Sequence, residues 1–170
     1  MTPTSVPPAA ASARFLGAKL THALRTASLL FGASVAAVVL ACRPVRRAPI
    51  YLVAPSGTSA PFSAAVRVHG LIFLAGQLGT DSSGRVVPGG VEAETRQAMA
   101  NVRTVLARVG SSLDRVIKCT VYLADMRELA AMNDAYVTFF APGRRPARTA
   151  AGAAGLALGG RVEIECVAAE

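Results

Sequence analysis

From residue 60 onward the apolar positions recur with two different periods. Ser63-Ala64-Ala65-Val66-Arg67-Val68 alternates small or apolar side chains with polar ones, and Leu71-Ile72-Phe73-Leu74-Ala75-Gly76-Gln77 is a nearly continuous apolar run. His69-Gly70 between them reads as a tight turn, so the two stretches predict a hairpin. A polar loop from Asp81 to Gly90 leads into Ala98, Met99, Val102, Val105, Leu106 and Val109. Their three- and four-residue spacing predicts an amphipathic helix, with Glu92 and Arg96 as an exposed i,i+4 pair and Gly110 just past its end. Val116 to Leu123, rich in β-branched residues, predicts a third strand. Asp125 and Glu128 form a capping-box-like start to a second helix running to about Phe140, with Leu129, Asn133, Tyr136, Val137 and Phe140 on one face. Pro146-Ala147-Arg148-Thr149 and Arg161-Val162-Glu163-Ile164-Glu165-Cys166-Val167 read as the last two strands, neighbours across the short glycine-rich link 155–160. The order β-β-α-β-α-β-β predicts an α+β fold with both helices on one face of a mixed sheet. The other face is expected to meet copies of the same chain in a closed oligomer, where Ala64, Ala65, Ala75, Ala150 and Ala151 would permit close approach.

Charge divides the chain. Residues 1–50 hold six Lys/Arg and no acid, whereas the remaining 12 Lys/Arg against 10 Asp/Glu leave the rest at +2 of the total +8. The high pI thus describes a leader over 1–50 rather than a nucleic-acid surface on the domain expected over 51–170, and no nucleic-acid partner is expected. Within the leader Thr26 to Cys42 is uncharged and flanked by basic residues. It is marginal as a membrane span and fits a signal h-region better. Val39-Leu40-Ala41-Cys42 is similar to a bacterial lipoprotein cleavage site, which would place any membrane contact in the leader alone. The Ala, Ser and Arg content also fits an organellar transit peptide. A start placed too far upstream, with a cytoplasmic product, is the third reading.

Three cysteines give no disulfide framework and no paired metal spacing, and Cys119 and Cys166 read as small buried apolar residues. His69 is a turn residue without triad partners, and Gly89-Gly90 lacks the Lys-Ser/Thr context of a phosphate loop. Arg148 and Glu163 carry the chemistry. A guanidinium facing a carboxylate across a cleft can grip a small carboxylate with a bidentate fork while the acid moves a proton or orients a water. The competing reading is an interstrand ion pair. Glu165 shares the strand face of Glu163 about 7 Å further along and reads as a solvated or structural acid. Asn133, polar on an apolar helix face, either braces a neighbour or reaches into a site.

Several motifs in order resemble the reactive intermediate (enamine/imine) deaminase family, also called RidA, YjgF or L-PSP. They are Ala60-Pro61-Phe62-Ser63-Ala64-Ala65-Val66, Phe73-Leu74-Ala75-Gly76-Gln77, Glu94-Thr95-Arg96-Gln97-Ala98, Val121-Tyr122-Leu123-Ala124-Asp125-Met126, Met132-Asn133-Asp134-Ala135-Tyr136, Pro146-Ala147-Arg148-Thr149 and Val162-Glu163-Ile164-Glu165. The resemblance covers about residues 54–169. It implies a chorismate-mutase-like α+β fold, a homotrimer with a small pocket at each subunit interface, and cofactor-independent hydrolysis of 2-imino or enamine acids to keto acids and ammonia. It implies Arg148 as the substrate-gripping arginine and Glu163 as the carboxylate at the attacking water. Asn133 and Gly76 match residues around the pocket, and Ala150 a position giving main-chain contacts, usually a Cys. Two departures stand out. Phe62 replaces the usual Tyr, whose hydroxyl helps to hold the carboxylate, and Ala75 replaces a Ser or Thr. With the small side chains of Thr149 to Ala154, these imply a wider or more apolar pocket. A non-catalytic carboxylate-binding trimer of the same fold is the alternative function.

Overall fold

The computed structural model describes residues 48–53 and 60–170, all within the compact unit Arg46–Glu170. The leader, with the Thr26 to Cys42 run, lies outside the described residues. Among those described, no helix is long and apolar enough to cross a membrane.

Seven strands form one sheet: β1 (Ile50–Val53), β2 (Ser63–Val68), β3 (Leu71–Leu74), β4 (Gln77–Leu78), β5 (Val116–Leu123), β6 (Ala147–Gly152) and β7 (Val162–Ala169). Their order is β1-β2-β3-β7-β5-β6, with β4 also on β7. All pairs are antiparallel except β5 with β6. Two helices, α1 (Gly90–Arg108) and α2 (Leu129–Tyr136), cover one face. The α+β class and the order of its principal elements are as the sequence predicts.

The β2–β3 hairpin turns where expected. His69 and Gly70 both have positive φ, 50° and 80°, the twist that a two-residue hairpin needs, and Val68 pairs with Leu71. In α1 the stripe Val91, Thr95, Ala98, Met99, Val102, Val105 and Leu106 is buried on the sheet, and Glu92 meets Arg96 at 3.8 Å. Strand β7 alternates throughout and β5 from Cys119 onward: Cys119, Val121 and Leu123, with Val162, Ile164, Cys166 and Ala168, are sealed under the helices. Fully buried Ile72, Met99, Leu106, Leu123, Met132 and Ile164 dominate this core, each worth about 1.5–3 kcal/mol of apolar transfer.

Several expectations need correction. Strand β1 was not visible in the sequence pattern, and the apolar run from Leu71 to Gln77 is two strands, because the backbone breaks at Ala75-Gly76. The second helix is a 3-10 turn (Met126–Glu128), α2 and another 3-10 turn (Val137–Phe139). Asp125 does cap it, accepting the Arg127 N–H at 2.9 Å, but Glu128 does not complete a capping box and pairs with Arg161 instead. Asp125 also receives the Arg127 side chain, and these bonds lower its pKa to about 2. Ala64 and Ala65 are buried inside this one chain and present no surface to a partner.

Two further corrections concern chemistry. Strands β6 and β7 are not neighbours, since β5 runs between them. The chain α2 connects β5 to β6 as a β-α-β crossover, which makes those two parallel. Cys119 and Cys166 are buried as expected, but they are joined in a disulfide. They are direct partners in the β5–β7 register, with Cα atoms 4.1 Å apart.

A buried carboxylate ties α1 to the start of β7. Glu94 Oε2 accepts the Arg161 backbone N–H at 2.7 Å, and Gly79 packs so close that a Cβ there would lie 2.6 Å from the Glu94 carbonyl oxygen. Removing this acceptor leaves the part-buried Arg161 N–H without its charged partner. Glu94→Ala is therefore expected to lower unfolding free energy in urea by about 1.5–3 kcal/mol, the cost of a lost hydrogen bond to a charged group. An unchanged midpoint would show that the bond contributes nothing net.

Candidate functional site

The residues singled out in the sequence fall into two groups on opposite faces of the sheet. Register settles this. Arg148 is paired with Cys119, which is sealed on the helix side, whereas Glu163 is paired with Tyr122, three positions along β5. An odd offset on a strand reverses the face. Arg148 and Glu163 also sit two strands apart, about 10 Å sideways, and three residues apart along the sheet, another ~10 Å. Within one chain they do not face each other across a cleft. Nor do they form the competing ion pair, and neither is in any ion pair among the described residues.

The first group lies at the β6 edge on the helix side. The Arg148 guanidinium stands 5.0 Å over the centroid of the Tyr136 ring, within the range of a cation–π contact. Asn133, one turn earlier on α2, has a buried Oδ1 with no partner, as does the Tyr136 hydroxyl. Burial raises the Tyr136 pKa to about 12 despite the nearby Arg148 charge, so it is a neutral phenol at any physiological pH. Ala150 follows Arg148 on the same strand face and is half-buried. A cation with open donors, a neutral aromatic support and a small neighbour together suit a planar carboxylate.

The second group lies on the uncovered face, where β4 meets β7. Glu163 is held against Gly76. A Cβ built on that glycine would fall 1.9 Å from Glu163 Oε1, so no other residue fits without displacing the carboxylate. Gln77 Nε2 closes this corner by donating to the Ala75 and Gly76 carbonyls at 3.0 and 3.1 Å, and the Ala75 N–H donates to Ala64 O at 3.0 Å. Gly76→Ala is thus expected to swing Glu163 out of place with a small change in melting temperature, and to lose most of any turnover that uses this carboxylate. Wild-type turnover from a folded Gly76→Ala variant would show that this position of Glu163 does not matter.

Glu165, read from the sequence as a solvated or structural acid, has a bond within the sheet. It accepts from the Tyr122 hydroxyl at 3.4 Å and lines a cavity of about 300 Å³ with Phe73, Lys118, Thr120 and Val167. The Glu165 charge is the largest cause raising the Tyr122 pKa above its ordinary value. Phe62 is 60% exposed at the entry to β2. Four strand spacings, ~19 Å, separate β2 from β6, so Phe62 and Arg148 of one chain do not share a small ligand. Sequence reasoning missed the contact of Tyr136 with Arg148. Tyr136 stood on the apolar stripe of α2, and only its spacing from Asn133 hinted at more. Among the described residues no group of His, Cys, Asp and Glu is arranged to hold a metal ion.

Residues 53–170 match the family described as Endoribonuclease L-PSP. A mouse protein named 2-iminobutanoate/2-iminopropanoate deaminase is 45% identical over 111 residues, 65% of this chain and 82% of its own length. The human protein of the same name is 42% identical over 113 residues, 66% of this chain and 82% of its own. Among solved structures, RidA from the Antarctic bacterium Psychrobacter superposes with a TM-score of 0.63 at 30% identity, covering 75% of this chain and all of that one. A member of the YjgF protein family from Neisseria meningitidis gives 0.62 at 31% identity, covering 72% and 95%.

Proposed function

The chain belongs to the Endoribonuclease L-PSP (RidA/YjgF) family, and from that premise we propose that it hydrolyses 2-imino acids to 2-keto acids and ammonia in a site completed between copies of itself. Relatives named 2-iminobutanoate/2-iminopropanoate deaminase support the reaction class. The observation that carries the residue roles is Arg148, exposed, hydrogen-bonded to nothing among the described residues and standing over an aromatic ring.

In this reading Arg148 binds the α-carboxylate by two parallel N–H···O bonds, a planar match that Lys does not offer. The imine carbon is already electrophilic. Glu163 takes a proton from a water as the oxygen adds to that carbon, giving a carbinolamine, and returns the proton to nitrogen. Collapse of the carbinolamine forms the keto C=O and releases ammonia. No covalent enzyme intermediate is needed, so orientation and proton transfer supply the catalysis.

The two groups on opposite faces bear on assembly. One copy offers its Arg148 edge and the next offers its Glu163 face, which are different surfaces. With the two groups on opposite faces rather than in one self-complementary patch, such a contact is heterologous, and repeated contacts of that kind form a ring where the rotation closes. A homotrimer with three shared sites is the ring that the family resemblance implies. It also brings Phe62 of one copy within reach of Arg148 of another, where its lack of a hydroxyl leaves the carboxylate with one donor fewer. The domain over 51–170 is the catalytic body in this proposal. With +2 net charge over those residues, the broad cationic surface of an RNA-binding domain finds little support.

The test is keto-acid release by the full chain in amine-free buffer, with a dehydratase generating imino acids from serine or threonine. Release faster than the spontaneous rate is expected. A correctly assembled protein that binds 2-oxobutanoate without accelerating either imine would instead support the non-catalytic binding role.

A further inference from the structure

We propose that Tyr136 is a positioning residue for the substrate carboxylate, its ring serving as the platform that aims the Arg148 guanidinium. This rests on the reading of Arg148 as the carboxylate anchor. Arg148 sits on the edge strand β6, exposed, with no acid against it among the described residues. A long side chain in that position samples many rotamers, and fixing one at the moment of binding costs about 1–2 kcal/mol. What holds it is the face of Tyr136 at 5.0 Å.

That support is itself immobile. Tyr136 is 3% exposed, belongs to the core and packs on the Phe140 ring at 5.1 Å with the planes 47° apart. An aromatic face suits the task better than a carboxylate would. An acid beside Arg148 would occupy its N–H donors and cancel the charge that attracts the substrate, whereas a π-face attracts the cation from above and leaves the in-plane donors open. The hydroxyl is not the working part. Its oxygen is sealed from solvent and has no partner, so it neither reaches a ligand nor braces the ring. Its high pKa keeps the ring neutral and its π-face unchanged over the working pH range.

The ring and hydroxyl roles separate in a binding experiment on the full chain, with 2-oxobutanoate as the carboxylate probe in titration calorimetry and kcat and KM from the imine assay. Tyr136→Leu is expected to weaken 2-oxobutanoate binding and raise KM roughly two- to fivefold, the span of a partly exposed cation–π contact, with kcat changed little. Tyr136→Phe is expected to rescue both and to melt no lower than wild type, because it removes a buried hydroxyl that makes no bond. Tyr136→Met supplies the same comparison if the Leu variant does not fold. Phe binding as poorly as Leu would overturn the platform, since the hydroxyl would then be the working group. Leu lowering kcat at unchanged Kd would also overturn it, as a merely structural role. Arg148→Ala binding the probe as well as wild type would instead overturn the anchor reading on which this rests, an outcome separate from the other two.

Discussion

Arg148→Ala and Glu163→Gln should each abolish most imine hydrolysis, yet a mixture of the two inactive proteins should recover about a quarter of wild-type activity. The single losses follow from the proposed roles. Two charge-assisted hydrogen bonds to a carboxylate are worth roughly 3–6 kcal/mol, so Arg148→Ala is expected to lower kcat/KM by about two to four orders of magnitude, largely through KM. Losing a positioned general base costs about 10²–10⁴, here in kcat, so Glu163→Gln should still bind 2-oxobutanoate. The recovery follows from the geometry. Arg148 and Glu163 lie on opposite faces of one sheet, with β5 between their strands, so a site that uses both, as proposed, takes one from each of two copies. In a randomly reassembled equimolar mixture, half the copies supply an intact Arg148 and half an intact Glu163. About one site in four then receives both. Co-expression or denaturation and reassembly of the two variants, followed by the keto-acid assay, measures the fraction. No recovery from properly mixed oligomers would mean that each chain carries its own complete site, which the register of β5 with β6 and β7 argues against.

Local pattern made much of this fold legible, and what it missed was non-local. The stripe from Ala98 to Val109 gives α1, and alternation gives β5 and β7 because one face of each is sealed under helices. His69-Gly70 gives its turn because two successive positive φ values favour such a pair. Strand order is different, since it is a property of connections. A short glycine-rich link suggested that β6 and β7 pair, but the helix between β5 and β6 is the stronger signal, because a β-α-β crossover places its strands side by side and parallel. With β6 on one side of β5, β7 takes the other, and the face of every residue follows. Residue type and position singled out Arg148, Glu163 and Asn133, and the resemblance added Gly76 and the roles, while the division of those residues between two faces required the register. The break at Ala75-Gly76 was hidden because an apolar run looks the same whether or not a carboxylate presses on its glycine. Strand β1 was hidden because Ile50, Tyr51 and Val53 are exposed at the sheet edge, where no buried face imposes alternation.

Removing the Cys119–Cys166 disulfide should destabilise the fold about as much as truncating one of its fully buried core side chains. Neither cysteine alone suggested a pair, since 47 residues separate them. The register does, because both side chains point into the core from directly opposed positions on β5 and β7. A crosslink closing a loop of that length withdraws enough freedom from the unfolded chain to stabilise the fold by about 4 kcal/mol, and measured effects usually fall at or below such values. For a domain of this size that corresponds to roughly a 10–15 °C fall in Tm. Cys119→Ala/Cys166→Ala, compared with wild type at equal protein concentration with and without reductant, provides the measurement. The expected pattern is a wild type that loses stability with reductant and a double variant that is indifferent to it. Chemistry should be spared, since the sulfurs face the core while the Arg148 guanidinium stands outside it, so KM measured well below the melting transition should match wild type. Because neither cysteine is appreciably exposed, reductant should act only as the domain opens. The bond, once formed, would therefore survive brief exposure to thiols and not persistent exposure. Its state in protein alkylated at the moment of cell lysis would then distinguish an oxidising compartment from the cytosol, the question that the basic segment before residue 48 raises.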